Sequence, residues 1–254
     1  MAKKREKTEN ETEVVNEKER RSNARFCAFF LSFLLLFLLF VNFWTSNFSF
    51  VLVSGASMDK TLYSGEYLLS YKVVKPEELE RGDIIVVRVD HIPEWQKKNA
   101  IDKAKGMEET HFIIKRLIAL EGDKVRCIQG KMEICYAGTW NEEMSEEELP
   151  FVELNEPYAY YDEKEGGKDA PSCSFEYTVG EDEIFFLGDN RNHSKDSRYV
   201  EEFSELDRLY KETDVESVVP AWALKKQVGL QKYLVEIPAK IKNKVANFFR
   251  KIFD

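Results

Sequence analysis

Residues 111–136 read HFIIKRLIALEGDKVRCIQGKMEICY, and their pattern decides the fold class. A ten-residue run rich in Ile and Leu, 111–120, is cut by the turn signal Glu121-Gly122-Asp123. Two five-residue runs follow, 124–128 and 132–136, with Gln129-Gly130 between them. Short apolar runs separated by Gly-containing turns are strands, and the second pair reads as a hairpin. Working outward, the same texture recurs at 67–71 (YLLSY), 83–89 (DIIVVRV), 183–187 (EIFFL) and 218–224. Turn signals stand at Ser64-Gly65, Arg81-Gly82-Asp83 and Gly188-Asp189-Asn190. The expectation is a mainly β, antiparallel domain. Two stretches break the pattern. Residues 93–110 are polar and read as a helical or looped insertion. Residues 141–167 hold ten acidic side chains and one Lys, and read as a solvated insertion with a short helix around 145–149 and no catalytic role.

The ends differ from this middle. Residues 26–44, FCAFFLSFLLLFLLFVNFW, carry no charge and reach roughly 28 Å as a helix, close to the hydrocarbon core of a bilayer. This reads as one transmembrane helix with Trp44 at the interface. Arg20, Arg21 and Arg25 precede it and no Lys or Arg follows until Lys60, which places residues 1–25 in the cytoplasm and the β-domain outside. A cleaved signal peptide, cut after Ser54-Gly55-Ala56, is the competing reading; the run is long for that and continues into an apolar stretch at 48–53. From Pro238, Ile241, Val245, Phe248, Phe249 and Ile252 fall at helical spacing among lysines. That pattern fits a membrane-surface helix or a helix packed on its own domain. The division is then 1–25 cytoplasmic tail, 26–45 transmembrane helix, 46–224 extracytoplasmic β-domain with insertions at about 91–110 and 141–170, and 225–254 basic amphipathic segment.

Charge fits this layout. The chain carries 37 basic and 46 acidic side chains, net −9. The two ends are basic while the central 199 residues hold 21 basic against 38 acidic. A nucleic-acid footprint needs a basic face, so nucleic acid is excluded as a partner. Four cysteines without a CxxC pair indicate neither a disulfide scaffold nor a zinc site. Cys127 and Cys135 flank the hairpin, but a tight two-residue turn pairs Cys127 with Met132, so a bond between them needs a shifted register. Cys27, in the membrane helix, is expected free.

Three clusters carry chemistry: Ser57 behind small residues, Lys115-Arg116 inside an apolar strand, and the polar loop Gly188-Asp189-Asn190-Arg191-Asn192-His193-Ser194-Lys195-Asp196-Ser197-Arg198. Strand side chains alternate, so one of Lys115 and Arg116 points to the apolar face unless the strand end is exposed. An ordinary lysine is neutral in only about one molecule in 2,500 at pH 7, and a general base needs a pKa of roughly 7–8. Burial supplies such a shift; the plainer reading is a lysine that snorkels to water. A Ser hydroxyl needs a base, none of the three histidines sits in a nucleophile-elbow pattern, and Ser–Lys pairs are a known variant of the triad. Asn, Asp and Ser clusters after a strand are also ordinary turn chemistry; in that reading Asp196 and Arg198 are a surface ion pair, and His193 and Lys195 are exposed passengers.

Taken together the clusters resemble type I signal peptidases. Ser57-Met58-x-x-Thr61-Leu62, Arg81-Gly82-Asp83-Ile84-Ile85, Lys115-Arg116-Leu117-Ile118-Ala119-Leu120-Glu121-Gly122-Asp123 and the Gly188–Arg198 loop match the family's boxes in order. The resemblance implies a membrane-bound serine endopeptidase of the signal-peptidase/LexA-like β-fold, free of cofactor and metal. It would cleave exported preproteins after small residues at −3 and −1, on the outer face of the cytoplasmic membrane. Its partners would be signal-peptide-bearing preproteins and membrane lipid. Ser57 would be the nucleophile and oxyanion donor, and Lys115 the base. Ser194 would hold the Lys115 ammonium; Asp196, Arg198 and Arg116 would support the site; Val53, Met58 and Ile114 would line the substrate pockets. Two positions depart from or vary within the pattern. Lys60 stands where the family usually has Pro, removing a fixed φ and adding a cation. Gly55 offers no hydroxyl two residues before Ser57. The alternatives are a membrane-anchored, catalytically weak binding protein of the same fold, prompted by Lys60, and a self-cleaving Ser–Lys regulator, which leaves the membrane segment unexplained.

Overall fold

A computed structural model describes residues 2–72, 75–170, 173–198 and 210–224; the basic segment at 225–254 lies outside them. The chain forms two compact units, residues 1–47 and 48–254.

The first unit is one helix, α1 (Ala2–Asn47). Within its stretch Glu17–Asn47 the most apolar 18 residues have a mean hydropathy of 2.6, so the helix is long and apolar enough to cross a membrane. Apolar side chains cover it all round: Phe26, Phe29 and Leu36 are each more than 60% exposed within the unit. Phe26 and Phe30, and Phe33 and Phe37, stack one turn apart. The helix extends well before residue 26 because Glu, Lys and Arg are good helix formers.

The second unit is built from two antiparallel sheets. In chain order the strands are β1 (Phe48–Leu52), β2 (Tyr67–Tyr71), β3 (Ile84–Arg88), β4 (Phe112–Leu120), β5 (Lys124–Ile128), β6 (Lys131–Cys135), β7 (Val152–Glu153), β8 (Phe175–Thr178), β9 (Ile184–Leu187) and β10 (Val215–Val219). The larger sheet runs β1-β2-β10-β3-β4-β9 and the smaller β7-β6-β5-β8. Strand β9 explains its own sequence. Ile184 and Phe186 enter one core cluster, with Ile85, Val87 and Leu117. Phe185 and Leu187 enter another, with Val125, Ile134 and Cys127. A strand buried on both faces has no polar face to show, hence the unbroken IFFL.

The hairpin closes as its turn dictates. Gln129 (φ 51°) and Gly130 (φ 73°) both occupy the left-handed region, the two-residue turn that matches strand twist. Cys127 therefore faces Met132, and Cys135 faces Lys124. A Cys127–Cys135 bond is not formed, and none of the four cysteines is in a disulfide.

Several expectations need correction. The strand expected at 218–224 ends at Val219; Pro220 offers no N–H to the ladder, and helix α3 (Ala221–Leu224) follows. The stretch 48–53, read only as an apolar continuation, is largely strand β1. Residues 145–149 form a turn rather than a helix, with the Ser145 N–H and hydroxyl both donating to Glu148. The polar insertion 93–110, by contrast, holds the helix that was one of its two expected forms, α2 (Pro93–Ala104). Strands β7 and β8 lie in stretches that show no alternating run.

Candidate active site

The connection between β1 and β2 carries Ser57. It is pinned at its base by hydrogen bonds of 2.9 Å, Val53 N–H to the Glu66 carbonyl and Gly65 N–H to the Val53 carbonyl. Inside it, Leu62 N–H donates to the Met58 carbonyl at 2.8 Å. Val53, Met58 and Leu62 are buried in one cluster with Leu68, Ile84 and Val86, and Ile114 packs against it. The loop is thus nailed down by its own apolar residues on either side of Ser57. Lys60 takes φ +80°, a value closed to proline, whose φ is held near −65°.

Strand β4 carries Lys115, opposite Ile85 of β3. Its alternate neighbours Ile113 and Leu117 are both core residues, so strand alternation carries the lysine into apolar surroundings. Lys115 is 4% exposed, and the snorkelling reading is excluded. Its Nζ donates to Ser57 Oγ and to the Ile114 carbonyl, each at 2.9 Å. Burial pulls its pKa from an ordinary 10.5 to about 8; Asp196 pulls it back up, Arg198 pushes it further down, and Asp189 also raises it. At that value roughly one Lys115 in eleven is neutral at pH 7, some two hundred times the ordinary fraction.

Arg116 is buried as well, so both cations of the pair lie inside. It makes a two-pronged pair with Asp189 at 2.8 and 2.7 Å, donates to the Gly82 carbonyl at 2.9 Å, and stacks 3.9 Å from the Tyr158 ring centre. Asp189 also accepts from Thr61 Oγ1 at 2.5 Å, so one carboxylate ties the serine loop to the lysine strand.

The loop after β9 folds back on its strand. Ser197 Oγ accepts from Phe186 N–H, and Ser197 N–H donates to the Phe186 carbonyl. Asp196 accepts from Gly188 N–H at 2.9 Å and from Arg198 Nε at 2.8 Å. Both side chains are almost fully buried, so this is not a surface pair. Burial disfavours the Asp196 carboxylate, but Arg198 and the Gly188 N–H outweigh it and hold the pKa below the usual range. Ser194 does not bond to Lys115. Its Oγ is buried without a well-formed hydrogen bond, and it lies close enough to the Asp196 carboxylate to help hold it ionised. Gly188 leaves no room for a side chain: a Cβ there would overlap Ser194 and the Ser57 carbonyl. Lys195 is half-buried against Trp95 rather than exposed.

The acidic insertion is more than a wet surface. The Glu156 side chain is 7% exposed and pairs with Arg191 through bonds of 2.6 and 3.1 Å, and Tyr158 Oη donates to it at 2.9 Å. Tyr160 N–H donates to the Asp189 carbonyl at 2.7 Å, and Arg191 N–H to the Tyr160 carbonyl. The segment 156–161 thereby braces the loop that holds Asp189. Sequence reasoning missed Asp189, Arg191, Glu156 and Tyr158. The signal for Asp189 was present: a buried Arg116 requires an acid, and the 188–198 loop holds only two.

Comparisons with known proteins give the family. The family described as signal peptidase, peptidase S26, matches residues 25–215. Among curated relatives, a signal peptidase I of Bacillus licheniformis is 32% identical over 155 residues, covering 58% of this chain and 64% of its own. Signal peptidase I P of Bacillus subtilis subsp. natto is 31% identical over 154 residues with the same coverage. The chain thus spans just under two thirds of the length of these relatives. A solved signal peptidase I from Enterococcus faecalis V583 overlaps 58% of this chain at 22% identity, with a TM-score of 0.30, too low to add to the assignment. With the sequence match running through the serine loop, the lysine strand and the 188–198 loop, the chain belongs to the signal peptidase family, peptidase S26.

Proposed function

We propose that this protein is a membrane-anchored serine endopeptidase that removes signal peptides from exported preproteins after small residues at −3 and −1. The observation that carries the reading is the 2.9 Å contact between Ser57 Oγ and a buried Lys115 Nζ whose pKa is near 8. Neutral Lys115 takes the Ser57 hydroxyl proton as Oγ attacks the scissile carbonyl. The Ser57 N–H, which has no backbone acceptor among the described residues, stabilises the resulting oxyanion. As the C–N bond breaks, the Lys115 ammonium returns the proton to the leaving amine. Lys115 then deprotonates the water that opens the acyl ester. When Lys115 takes the water's proton it is again an ammonium beside an ester oxygen that accepts hydrogen bonds poorly; the buried Ser194 hydroxyl helps hold it there until it returns that proton to Ser57 Oγ as the ester opens. The Val53, Met58 and Ile114 cluster forms the apolar floor for small side chains on the acyl side.

Helix α1 crosses the cytoplasmic membrane once, with the arginine-flanked end inside. The test is cleavage of a preprotein by the detergent-solubilised full chain beside Ser57→Ala and Lys115→Ala, with the product's new N-terminus sequenced. A cut after A-x-A by wild type alone is expected. Preprotein that binds but is never cut would move the assignment to the binding-protein alternative.

A further inference from the structure

A cavity of about 300 Å³ adjoins the Ser57 loop, lined among others by Ala56, Asp59, Lys60, Tyr160, Asn190 and His193. None of its lining residues belongs to the Val53–Met58–Ile114 cluster. Its position relative to the serine is fixed. Asn190 N–H donates to the Ser57 carbonyl, and Asn190 Nδ2 to the Ala56 carbonyl, both at 3.0 Å. An extended peptide advances about 3.3 Å per residue, so a chain whose acyl half lies on the apolar cluster sends its first one or two leaving residues over this cavity.

The cavity's charges are unequally committed. Asp162, another lining residue, accepts from Lys164 N–H at 3.0 Å and faces His193 at 3.6 Å. Lys60 lies with its ammonium 4.6 Å from the Tyr160 ring centre and makes no ion pair among the described residues. It is held there in a left-handed backbone conformation that side chains rarely adopt. Asp59, half-buried beside it, works in the opposite direction.

From this we infer that the cavity is a binding subsite for the first residues of the leaving chain, with Lys60 favouring an acidic side chain there. The inference rests on the peptidase reading above and adds to it the substrate chemistry on the leaving side. Lys60 is exposed, so the effect is small, about three- to tenfold in kcat/KM.

The test uses the solubilised full chain and two preproteins that differ only in carrying Glu or Lys at the first two positions after the cut. Wild type should favour the Glu substrate, Lys60→Gln should level the two, and Lys60→Glu should reverse the order. Asp59→Asn should widen the wild-type preference. Equal rates in wild type, or a Lys preference unaffected by Lys60→Glu, would overturn the subsite while leaving the peptidase standing. No cleavage of either substrate by wild type would remove the peptidase reading and the subsite with it.

Discussion

Lys115 and Arg116 are neighbours on one strand, both buried, yet the fold handles their charges in opposite ways. Arg116 meets a carboxylate through two bonds, a carbonyl and an aromatic face. Lys115 meets a hydroxyl and a carbonyl, with carboxylates acting on it only from beyond hydrogen-bond reach. A desolvated cation that lacks a contacting acid loses much of its hold on its proton; one that is fully paired becomes structure. In the proposed mechanism, reactivity comes from withholding a partner from one of two adjacent cations.

The sharpest way to break that contrast is to change Lys115 itself. Lys115→Met should lower cleavage by roughly 10³-fold or more. The same variant should be more stable than wild type at pH 7, by on the order of 2–3 kcal/mol, since it removes a charge the fold must desolvate. Denaturant melts beside cleavage rates check both halves, and a less stable Lys115→Met would show that the lysine's burial carries no penalty.

On the Arg116 side the sign reverses. Asp189→Ala strands a buried guanidinium and unhooks Thr61, and should destabilise by about 3–5 kcal/mol. A cost under about 1 kcal/mol in urea unfolding would mean that the pair is not what joins the two segments.

The pH dependence separates the two cations without mutation. With the Lys115 pKa lowered to about 8, kcat/KM should climb about tenfold per unit below pH 8 and level off above it. Stability should rise between about pH 8 and 10.5, where the unfolded chain holds a proton that the folded chain has lost. A rate profile flat from pH 6 to 9 would contradict the assignment of Lys115 as base. The smallest effect belongs to Tyr158→Leu, which removes the ring under Arg116 and should cost about 1–2 kcal/mol, read as a shift in thermal midpoint.

The sequence was most legible where local rules act. Gln129-Gly130 dictated the register of β5 against β6, and Lys115 betrayed itself as a charge among Ile and Leu. Long-range partners were not legible in the same way. Nothing local separates Glu156, buried against Arg191, from Glu146 in the same acidic stretch; the difference is an arginine 35 residues further along. Ser194 illustrates the converse, since its place in a motif gave its neighbourhood but not its hydrogen bonds. The strand expected through 224 failed because an apolar run reads alike on either side of Pro220.

Strand β10, the last among the described residues, sits between two early ones, β2 and β3. It pairs with β3 along its length, and it reaches β2 through Val218 opposite Tyr71 and the buried contact from Ser217 Oγ to Ser70 Oγ at 2.9 Å. The β1–β2 hairpin brings the serine, and β3–β4 brings the lysine. These halves become one sheet only when a strand made more than a hundred residues after the serine slides in between. Contacts of such separation form late and slowly, so during synthesis Ser57 and Lys115, the proposed nucleophile and base, are completed before they are joined. A chain still emerging from the ribosome would be chemically silent, and the final strand would act as the closing step that arms it.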